Sequence, residues 1–396
     1  MKKIIIIGGG YAGIRAMQRL KGVSDIEIIL FDIQAYQYLQ TEAYAIIANT
    51  ANITHVTVDL PSLCKYNENA QFIRKKITSI NFENKFISSD KDEYSYDYLI
   101  IASGSYTNFP KVVNGLKENS VGIKNLKNAF FIKQKFAKQL YELMSRDKPR
   151  NDKFFNIVIG GAGLSGVEIA AQMASKTKEF LRLNHIPDYG LNIYLISSSD
   201  CVLPGMDKYL QDNSLKRLKS LGVNVILNTR IKSVKPNIVY LNDESTIDFN
   251  YMIFTGGVTT SYYIKELNNC DLTSCGRLIV EDTMQLKGYD DVFAIGDVAV
   301  LKDKNNKIVA ATAHAAEQSA QTAAKNIKNL LNNKKVEKKC ASSDGVLVAL
   351  GSNNASVVLF DKFKCSGYLG YWLKWLITWN YKRTLDKNAK KIYEKA

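Results

Sequence analysis

The sequence of 396 residues lacks any CxxC pair and contains only three histidines, His55, His185 and His314. This scarcity argues against a structural zinc module, which binds its metal through closely spaced Cys and His ligands. Six cysteines in a chain of this length do not form a disulfide scaffold. No apolar run reaches the ~20 residues of a membrane span. The apolar start, residues 4–7, stops at three glycines, so we interpret it as a strand of a cytoplasmic protein rather than a signal peptide.

Acidic residues are also few relative to basic ones. Lys and Arg total 53 against 38 Asp and Glu, which gives a net charge of +15. A surplus of this size indicates an anionic partner, such as nucleic acid, a membrane surface or a phosphorylated ligand. The 46% hydrophobic and 23% charged residues are typical of a globular protein, not of disorder. At ~150 residues per domain, the length predicts two or three domains.

A glycine-rich loop follows the first predicted strand. Strand, GxGxxG, helix, strand and acid follow one another at residues 4–7, 8–13, 14–21, 26–31 and 32. Gly8 permits a tight turn, Gly10 lets the backbone approach a pyrophosphate, and Gly13 lets helix and strand pack closely. The helix N-terminus faces the phosphates, and Asp32 can accept a hydrogen bond from a ribose hydroxyl. The unit therefore predicts a dinucleotide site.

The same pattern recurs in the middle of the chain. Strand, glycine motif, helix and strand follow at residues 155–159, 161–166, 167–183 and 191–196. Gly161, Gly163 and Gly166 supply the phosphate cradle, but Ser197 stands where an acid usually follows the second strand. The sequence therefore predicts a second nucleotide site and leaves NADH against NADPH open.

Small residues end three further predicted strands, where they permit close approach of a cofactor backbone. They are Ala102, Ser103 and Gly104; Gly256 and Gly257; and Gly296, followed by Asp297. The two GxGxxG units, the Ala-Ser-Gly turn and Phe-Ala-Ile-Gly-Asp at 293–297 resemble the two-dinucleotide-binding-domain flavoproteins over about residues 1–330. The resemblance implies an α/β fold of two Rossmann-like domains, the first for FAD and the second, inserted in the first, for NAD(P)H.

The resemblance also implies site residues. For FAD these are Gly8, Gly10, Tyr11, Ala12, Gly13, Asp32, Ala102, Ser103, Gly104, Gly296, Asp297 and Ala313, with Asp297 on the ribityl chain. For NAD(P)H they are Gly161, Gly163, Leu164, Ser165, Gly166, Ser197, Gly256 and Gly257. No metal site is expected.

Within this superfamily the sequence most resembles the type II NADH dehydrogenases, single-subunit NADH:quinone oxidoreductases that do not pump protons. Glu168 matches the glutamate of the family's Gly-Val-Glu, near the nicotinamide and quinone region. Residues 311–318 resemble the family's Thr-Ala-Gln-x-Ala-x-Gln helix start, with His314 at the first glutamine position and Gln318 at the second. The resemblance implies hydride transfer from NADH to FAD and then electron transfer to a membrane quinone, with these three residues catalytic. Glu168 and His314 also have a purely structural interpretation. An acid such as Glu168 is favoured in the first turn of any helix, and His314 could simply pack at the end of a helix.

Other functions stay open at this point. Cys270 and Cys275 have the CxxxxC spacing of disulfide reductases, but they lie in a polar stretch after the second unit, and we interpret them as loop thiols. Cys201 and Cys340 keep a sulfide:quinone oxidoreductase open. A flavoprotein that binds nucleic acid or a partner through its basic surface is a third hypothesis, although no recognition motif supports it.

The C-terminal segment differs from the rest of the chain. A charged linker at 332–339 precedes a predicted hairpin of residues 346–351 and 355–360, then an aromatic stretch at 368–379. All three tryptophans, Trp372, Trp375 and Trp379, fall on one helical face. Residues 362–395 hold nine basic and two acidic residues, so +7 of the +15 lies there. This favours a helix at an anionic membrane surface over a helix docked on the core, and the resemblance implies a membrane anchor at the quinone entrance.

The predicted division of the chain is as follows: 1–115 and 266–330 bind FAD, 116–150 form a connector helix region, 151–265 bind NAD(P)H, and 331–396 form the C-terminal hairpin and membrane-associating helices. We expect NADH, quinone and the membrane surface as partners, and no nucleic acid. The expected location is the cytoplasmic face of the cell (inner) membrane, as a peripheral protein, and the resemblance leaves a homodimer open.

Overall fold

The computed structural model of the chain describes residues 1–144, 155–186, 191–342, 345–360 and 362–393. The described strands, in chain order, are β1 (Lys2–Ile7), β2 (Ile26–Asp32), β3 (Tyr36–Tyr38), β4 (Thr57–Asp59), β5 (Ala70–Arg74), β6 (Ser79–Asn81), β7 (Phe86–Ser89), β8 (Asp92–Ser95), β9 (Tyr98–Ile101), β10 (Tyr106–Thr107), β11 (Val121–Gly122), β12 (Phe155–Gly160), β13 (Leu191–Ile196), β14 (Asn224–Ile226), β15 (Ile231–Lys235), β16 (Ile238–Leu241), β17 (Thr246–Asp248), β18 (Tyr251–Phe254), β19 (Val258–Thr259), β20 (Leu278–Ile279), β21 (Val292–Ala294), β22 (Ala299–Val300), β23 (Gly345–Ala349), β24 (Ala355–Leu359) and β25 (Phe363–Gly367). The described helices are α1 (Tyr11–Leu20), α2 (Ala43–Ile47), α3 (Ile53–Val56), α4 (Leu60–Tyr66), α5 (Leu116–Asn119), α6 (Leu126–Met144), α7 (Leu164–Leu183), α8 (Lys208–Ser220), α9 (Tyr262–Lys265), α10 (Ala313–Leu331) and α11 (Tyr368–Tyr393).

A parallel sheet carries the first glycine loop. Its strand order is β21-β9-β1-β2-β5. Residues 4–7 of β1 are all isoleucine and all buried, as expected for a central parallel strand that is covered on both faces. The chain leaves β1 towards β2 on one side, and β9 flanks β1 on the other. The end of β1 is therefore a topological switch point, where such sheets form their ligand crevice.

A second parallel sheet repeats this arrangement with the order β11-β18-β12-β13-β14. Gly161 N–H donates to Ile196 O at 2.8 Å, just as Gly8 N–H donates to Phe31 O at 2.7 Å in the first sheet. The prediction of two Rossmann-like α/β units is confirmed. The first sheet takes β21 from beyond the second sheet in sequence, and β11, from the predicted connector, pairs with β18. The exact domain limits stay a prediction, and the boundary at 150 and 151 lies outside the described residues.

The helices after both glycine loops begin three residues earlier than predicted. Gly10 and Gly163 are extended N-caps, so each loop passes directly into α1 at Tyr11 or α7 at Leu164. Neither cap carries a side-chain hydrogen bond to the first turn. The first N–H groups of both helices therefore remain available to an anion at the loop.

The C-terminal segment bridges the two units. The predicted hairpin is present and gains a third strand, in the order β23-β24-β25. Arg217 of α8 donates from Nε to Leu350 O at 3.1 Å, which ties this sheet to the second unit. Helix α11 returns to the first unit, where the rings of Tyr381 and Tyr11 lie 5.3 Å apart. Among the described residues, no helix combines the length and the hydrophobicity that a membrane crossing requires.

Candidate active site

The first glycine loop leaves space for a ligand at only one of its three motif glycines. Gly8 has a φ of +110°, and an added Cβ there would lie 2.3 Å from Ala102 O. A Cβ on Gly13 would lie 1.8 Å from Gly8 O. At Gly10, by contrast, an added Cβ meets no described atom within 4 Å. The chain packs tightly behind the loop and is open at Gly10, which fits the approach of a pyrophosphate.

Two polar groups flank this loop. Asp32, at the end of β2, accepts hydrogen bonds from Gly9 N–H at 2.7 Å and Gln34 N–H at 2.8 Å. Burial nevertheless raises the pKa of its carboxyl. Ser103, after β9, has a buried hydroxyl that lies near the buried Tyr263. An acid and a hydroxyl beside an open loop fit the polar groups of a dinucleotide such as FAD.

Asp297 is held by groups that its motif does not reveal. Ser105 donates from Oγ to its carboxylate at 2.7 Å, and Lys124 Nζ lies 3.2 Å from the same oxygen. Arg277 Nε donates to the backbone oxygen of Asp297 at 3.0 Å. Ser105 and Lys124 thus fix the orientation of the side chain, and Arg277 fixes the backbone, so that the carboxylate can accept hydroxyl donors from a ligand.

A cleft that is partly open to solvent joins the first loop, the second unit and α11. The predicted residues that line it are Gly10, Tyr11, Ala12, Ala102, Gly104, Gly296, Asp297, Ala313, Leu164, Ser165, Glu168 and His314. The predicted residues that do not line it are Gly8, Gly13, Asp32, Ser103, Gln318, Gly161, Gly163, Gly166, Ser197, Gly256 and Gly257. The cleft thus brings the start of α7 to the first glycine loop, although the two are some 150 residues apart in sequence.

Glu168 forms a buried ion pair that the sequence did not reveal. Its Oε1 lies 3.1 Å from Lys374 Nζ, with both side chains about nine-tenths buried, and accepts from Ala349 N–H at 3.0 Å. Burial raises the pKa of Glu168, while Lys374 and Ala349 oppose that rise. Burial also disfavours the charged form of Lys374, but the nearby carboxylates hold its pKa above its ordinary value. The pair is a protonated lysine beside a carboxyl that binds a proton more readily than usual.

A second carboxylate faces the same lysine. Glu42 accepts from Tyr44 Oη at 2.9 Å and from Thr378 Oγ1 at 3.2 Å, one helical turn beyond Lys374. Lys374 Nζ also lies 5.3 Å from the centre of the Tyr44 ring. The negative charge of Glu42 contributes to the raised pKa of both Glu168 and Lys374. Two carboxylates and one ammonium therefore share this end of the cleft, a pattern that tunes proton affinity.

His314 and Gln318 lie one turn apart on α10 and are joined to each other. Gln318 Nε2 lies 2.8 Å from His314 Nε2. His314 lines the cleft, whereas Gln318 contacts Ser342 through both its amide nitrogen, at 2.7 Å, and its amide oxygen, at 2.8 Å. His314 is placed where a ligand in the cleft can meet it, and Gln318 anchors the segment that leads to the C-terminal sheet.

The second glycine loop has the same design as the first. Gly161 has a φ of +104°, and a Cβ there would lie 2.7 Å from Gly256. A Cβ on Gly166 would lie 1.9 Å from Gly161 O, while one on Gly163 meets no described atom within 4 Å. The open side again belongs to the middle glycine, so this loop also fits a pyrophosphate. Residues 2–320 match the family described as Pyridine nucleotide-disulphide oxidoreductase.

The chain belongs to the pyridine nucleotide-disulphide oxidoreductase family.

Relatives agree with this family over nearly the whole chain. The sequence is 26% identical over 372 residues to the Type II NADH:quinone oxidoreductase of Staphylococcus aureus (strain MSSA476), covering 91% of this chain and 90% of that protein. The fold is similar to NDH2 of Plasmodium falciparum in complex with NADH, with a TM-score of 0.84, 18% identity and 98% coverage of both chains. It is also similar to the sulfide:quinone oxidoreductase of Aquifex aeolicus, with a TM-score of 0.82, 19% identity, and coverage of 98% and 92%.

The cysteines bear on the disulfide and sulfide alternatives that the sequence left open, because the thiolate is the reactive form of a cysteine. All six cysteines of this chain lie within the described residues, and all are free. None of them lines the cleft. Burial raises the pKa of Cys201 and of Cys270, which disfavours their reactive thiolate forms. The residues that line the cleft therefore include no thiol, and the described residues contain no group of His, Cys, Asp and Glu that could hold a metal ion.

Proposed function

We propose that the chain is an FAD-dependent NADH:quinone oxidoreductase that catalyses NADH + H⁺ + quinone → NAD⁺ + quinol without pumping protons. The observation that carries this proposal is the shared cleft, which joins a dinucleotide loop to the Glu168–Lys374 pair and the C-terminal helix. The name and near-complete coverage of the Staphylococcus aureus relative support it.

The first unit is proposed to hold FAD. Gly10 leaves space for the pyrophosphate, and the first turn of α1 offers it N–H donors. Asp32 can accept a hydrogen bond from the ribose, and Asp297 can accept hydrogen bonds from the ribityl hydroxyls. When bound, FAD supplies a two-electron carrier between the substrates. The chain's own part is to orient both substrates and to keep water from the reacting atoms.

The second unit is proposed to bind NADH. Gly163 leaves room for the pyrophosphate at the start of α7. Leu164 and Ser165, in the first turn of that helix, already line the cleft. A dinucleotide bound at the second loop can therefore extend its nicotinamide towards the space beside Glu168.

The Glu168–Lys374 pair is proposed to deliver a proton to the reduced quinone. Quinol formation consumes protons at buried oxygens, so a donor with a raised pKa is useful there. Glu168 has that property because it is buried, and Lys374 keeps it oriented at 3.1 Å. His314 lines the same cleft and is proposed to contact the quinone.

Two substitutions around Glu168 are expected to shift the pH dependence of quinone reduction in opposite directions. Lys374→Gln removes the cation that lowers the pKa of Glu168, whereas Glu42→Gln removes the anion that raises it. If protonated Glu168 is the donor, quinone reduction falls as the pH rises through its pKa. We expect this limb of the profile of kcat against pH to move upward in Lys374→Gln and downward in Glu42→Gln. Shifts of the same sign in both variants would contradict the assignment.

The outer face of α11 is proposed to bind an anionic membrane surface. Trp372, Trp375 and Trp379 are 47%, 49% and 40% exposed, and Arg383 lies 4.6 Å from the Trp379 ring. Lys374, one of the nine basic residues counted in the tail, is instead buried in the cleft, where it pairs with Glu168. The exposed aromatic face beside the cleft suits a protein that takes quinone from a bilayer at its cytoplasmic face. A homodimer stays a prediction.

Replacing all three tryptophans with alanine is expected to reduce membrane binding at least about tenfold, because half-exposed aromatic area is lost from the helix. The measurement is co-sedimentation with phosphatidylglycerol vesicles. Tyr262→Ala is the matched control, since this aromatic side chain is 76% exposed away from the C-terminal segment. Unchanged sedimentation of the triple variant, or salt-sensitive binding to duplex DNA in place of vesicles, would count against the proposal.

Steady-state turnover with two electron donors tests the function itself. Purified protein loaded with FAD is mixed with a soluble quinone and either NADH or sulfide. NADH is expected to support turnover, while sulfide is not, because no cysteine lines the cleft. Turnover with sulfide alone would make the chain a sulfide:quinone oxidoreductase, and turnover with neither donor would leave no support for quinone reduction.

A further inference from the structure

We propose that the chain also oxidises NADPH, and that Ser197 and Arg230 admit its 2′-phosphate. This inference rests on the proposed function and extends it to a second electron donor. The reaction is NADPH + H⁺ + quinone → NADP⁺ + quinol, in which a hydride and a solvent proton reach the quinone. Three observations at the end of β13 carry the inference.

The first observation is that Ser197 occupies the place that Asp32 occupies in the first unit. In the first sheet, Ile7 precedes the glycine loop and pairs with Phe31, which precedes Asp32. In the second sheet, Gly160 precedes the loop and pairs with Ile196, which precedes Ser197. The equivalent hydrogen bonds from Gly8 and Gly161 agree with this register. An acid at this place binds a ribose 2′-hydroxyl and repels a 2′-phosphate.

The second observation is that the Ser197 hydroxyl is buried and already hydrogen-bonded within its own turn. Its side chain is buried, with 4% exposure. Its Oγ accepts from Ser199 N–H at 3.2 Å and donates to Cys201 O at 3.4 Å, so it stabilises its own turn. Ser198 adds an exposed neutral residue, and the first acid, Asp200, follows only at the exposed end of the turn. The position therefore favours neither the binding of the hydroxyl nor the exclusion of a phosphate.

The third observation is that the backbone hydrogen-bonded to this turn leads directly into a cation, Arg230. Asn228 N–H donates to Ser199 O and Thr229 N–H donates to Ser197 O, both at 2.9 Å. Arg230 follows at once and is exposed. Guanidinium groups bind phosphate oxygens in a bidentate geometry, so this residue suits a 2′-phosphate. Arg230 could not be singled out from the sequence, because it is 33 residues beyond Ser197 and the adjacent loop brings it to this turn.

The test compares kcat/KM for NADPH and NADH with FAD-loaded enzyme and one quinone. We expect the two values to lie within about tenfold of each other. Ser197→Asp is expected to lower the NADPH-to-NADH ratio at least about tenfold, and Arg230→Gln at least about fivefold, mainly through KM for NADPH. Lys232→Gln is the matched control, because Lys232 is a nearby cation that pairs with Glu244 at 2.6 Å. It is expected to leave the ratio unchanged.

Calorimetry with ADP-ribose and 2′-phospho-ADP-ribose adds a measurement that needs no turnover. Comparable binding of the two fragments, with weaker binding of the phosphorylated one to Arg230→Gln, supports the inference. Efficient oxidation of NADH, with NADPH more than a hundredfold poorer and no binding of the phosphorylated fragment, would overturn it and leave the proposed function intact. If neither dinucleotide is oxidised, the proposed function fails, and fragment binding still decides whether a 2′-phosphate is admitted.

Discussion

Glu168→Gln is expected to slow quinone reduction about a hundredfold, at the lower end of what general acid catalysis contributes. Glutamine keeps the size of the side chain and an acceptor for Ala349 N–H, but it has no proton to deliver. Reduction of the flavin by NADH is expected to stay within about threefold of the original rate, since hydride transfer needs no acid. Anaerobic stopped-flow mixing measures the two half-reactions separately.

A control on the same helix separates chemistry from stability. Removing the charge of Glu168 leaves the buried Lys374 cation with only the more distant Glu42 to balance it, which is itself destabilising. Glu179→Gln also removes a lysine-paired carboxylate from α7, but at a solvent-accessible position 3.2 Å from Lys176. It is expected to retain full quinone reduction. Unaltered quinone turnover in Glu168→Gln, with normal flavin reduction, would show that this residue is not the proton donor.

Gly10→Val is expected to abolish FAD retention without unfolding the chain, the largest effect on cofactor content that the structure predicts. Valine at this position meets no described atom within 4 Å of its Cβ, and the φ of −81° at Gly10 is ordinary for it. The side chain would instead occupy the space offered to the pyrophosphate. The purified variant is expected to carry less than about a tenth of the original flavin, measured by visible absorbance.

Gly163→Val is the matched counterpart in the second unit. Its position is equally open, with a φ of −73°. We expect it to retain its flavin and to raise the KM for NADH at least about tenfold, a cost of ~1.4 kcal/mol in binding. The assignment of the two loops would be reversed if Gly163→Val lost the flavin and Gly10→Val kept it. Circular dichroism checks that both variants remain folded.

Much of the fold could be predicted from local patterns. The two glycine motifs, each between apolar runs, predicted two parallel sheets, because the turn, the phosphate cradle and the helix start are all encoded within about 30 residues. The start of each helix was predicted three residues late. The extended Gly10 and Gly163 are themselves the N-caps, so the residues that follow them, Tyr11 and Leu164, already belong to the first turn.

The site could be predicted only where a single segment encodes it. Glu168 was singled out from its motif, but its partner Lys374 lies 206 residues later, in a tail whose basic residues suggested lipid contact. Lys124 and Ser105 were missed in the same way, since their contact with Asp297 depends on how separate strands meet. Residue type and spacing indicate an anion or a nucleotide, but charge pairs across the cleft depend on tertiary packing.

Sequential anaerobic mixing tests the central claim most directly. FAD-loaded protein is first mixed with one equivalent of NADH and then with a soluble quinone, while the visible flavin absorbance is followed. We expect rapid bleaching of the flavin by NADH and complete recovery of its absorbance with quinone, each at least as fast as steady-state turnover. Bleaching by NADH without recovery on addition of quinone, or no bleaching by NADH at all, would contradict it.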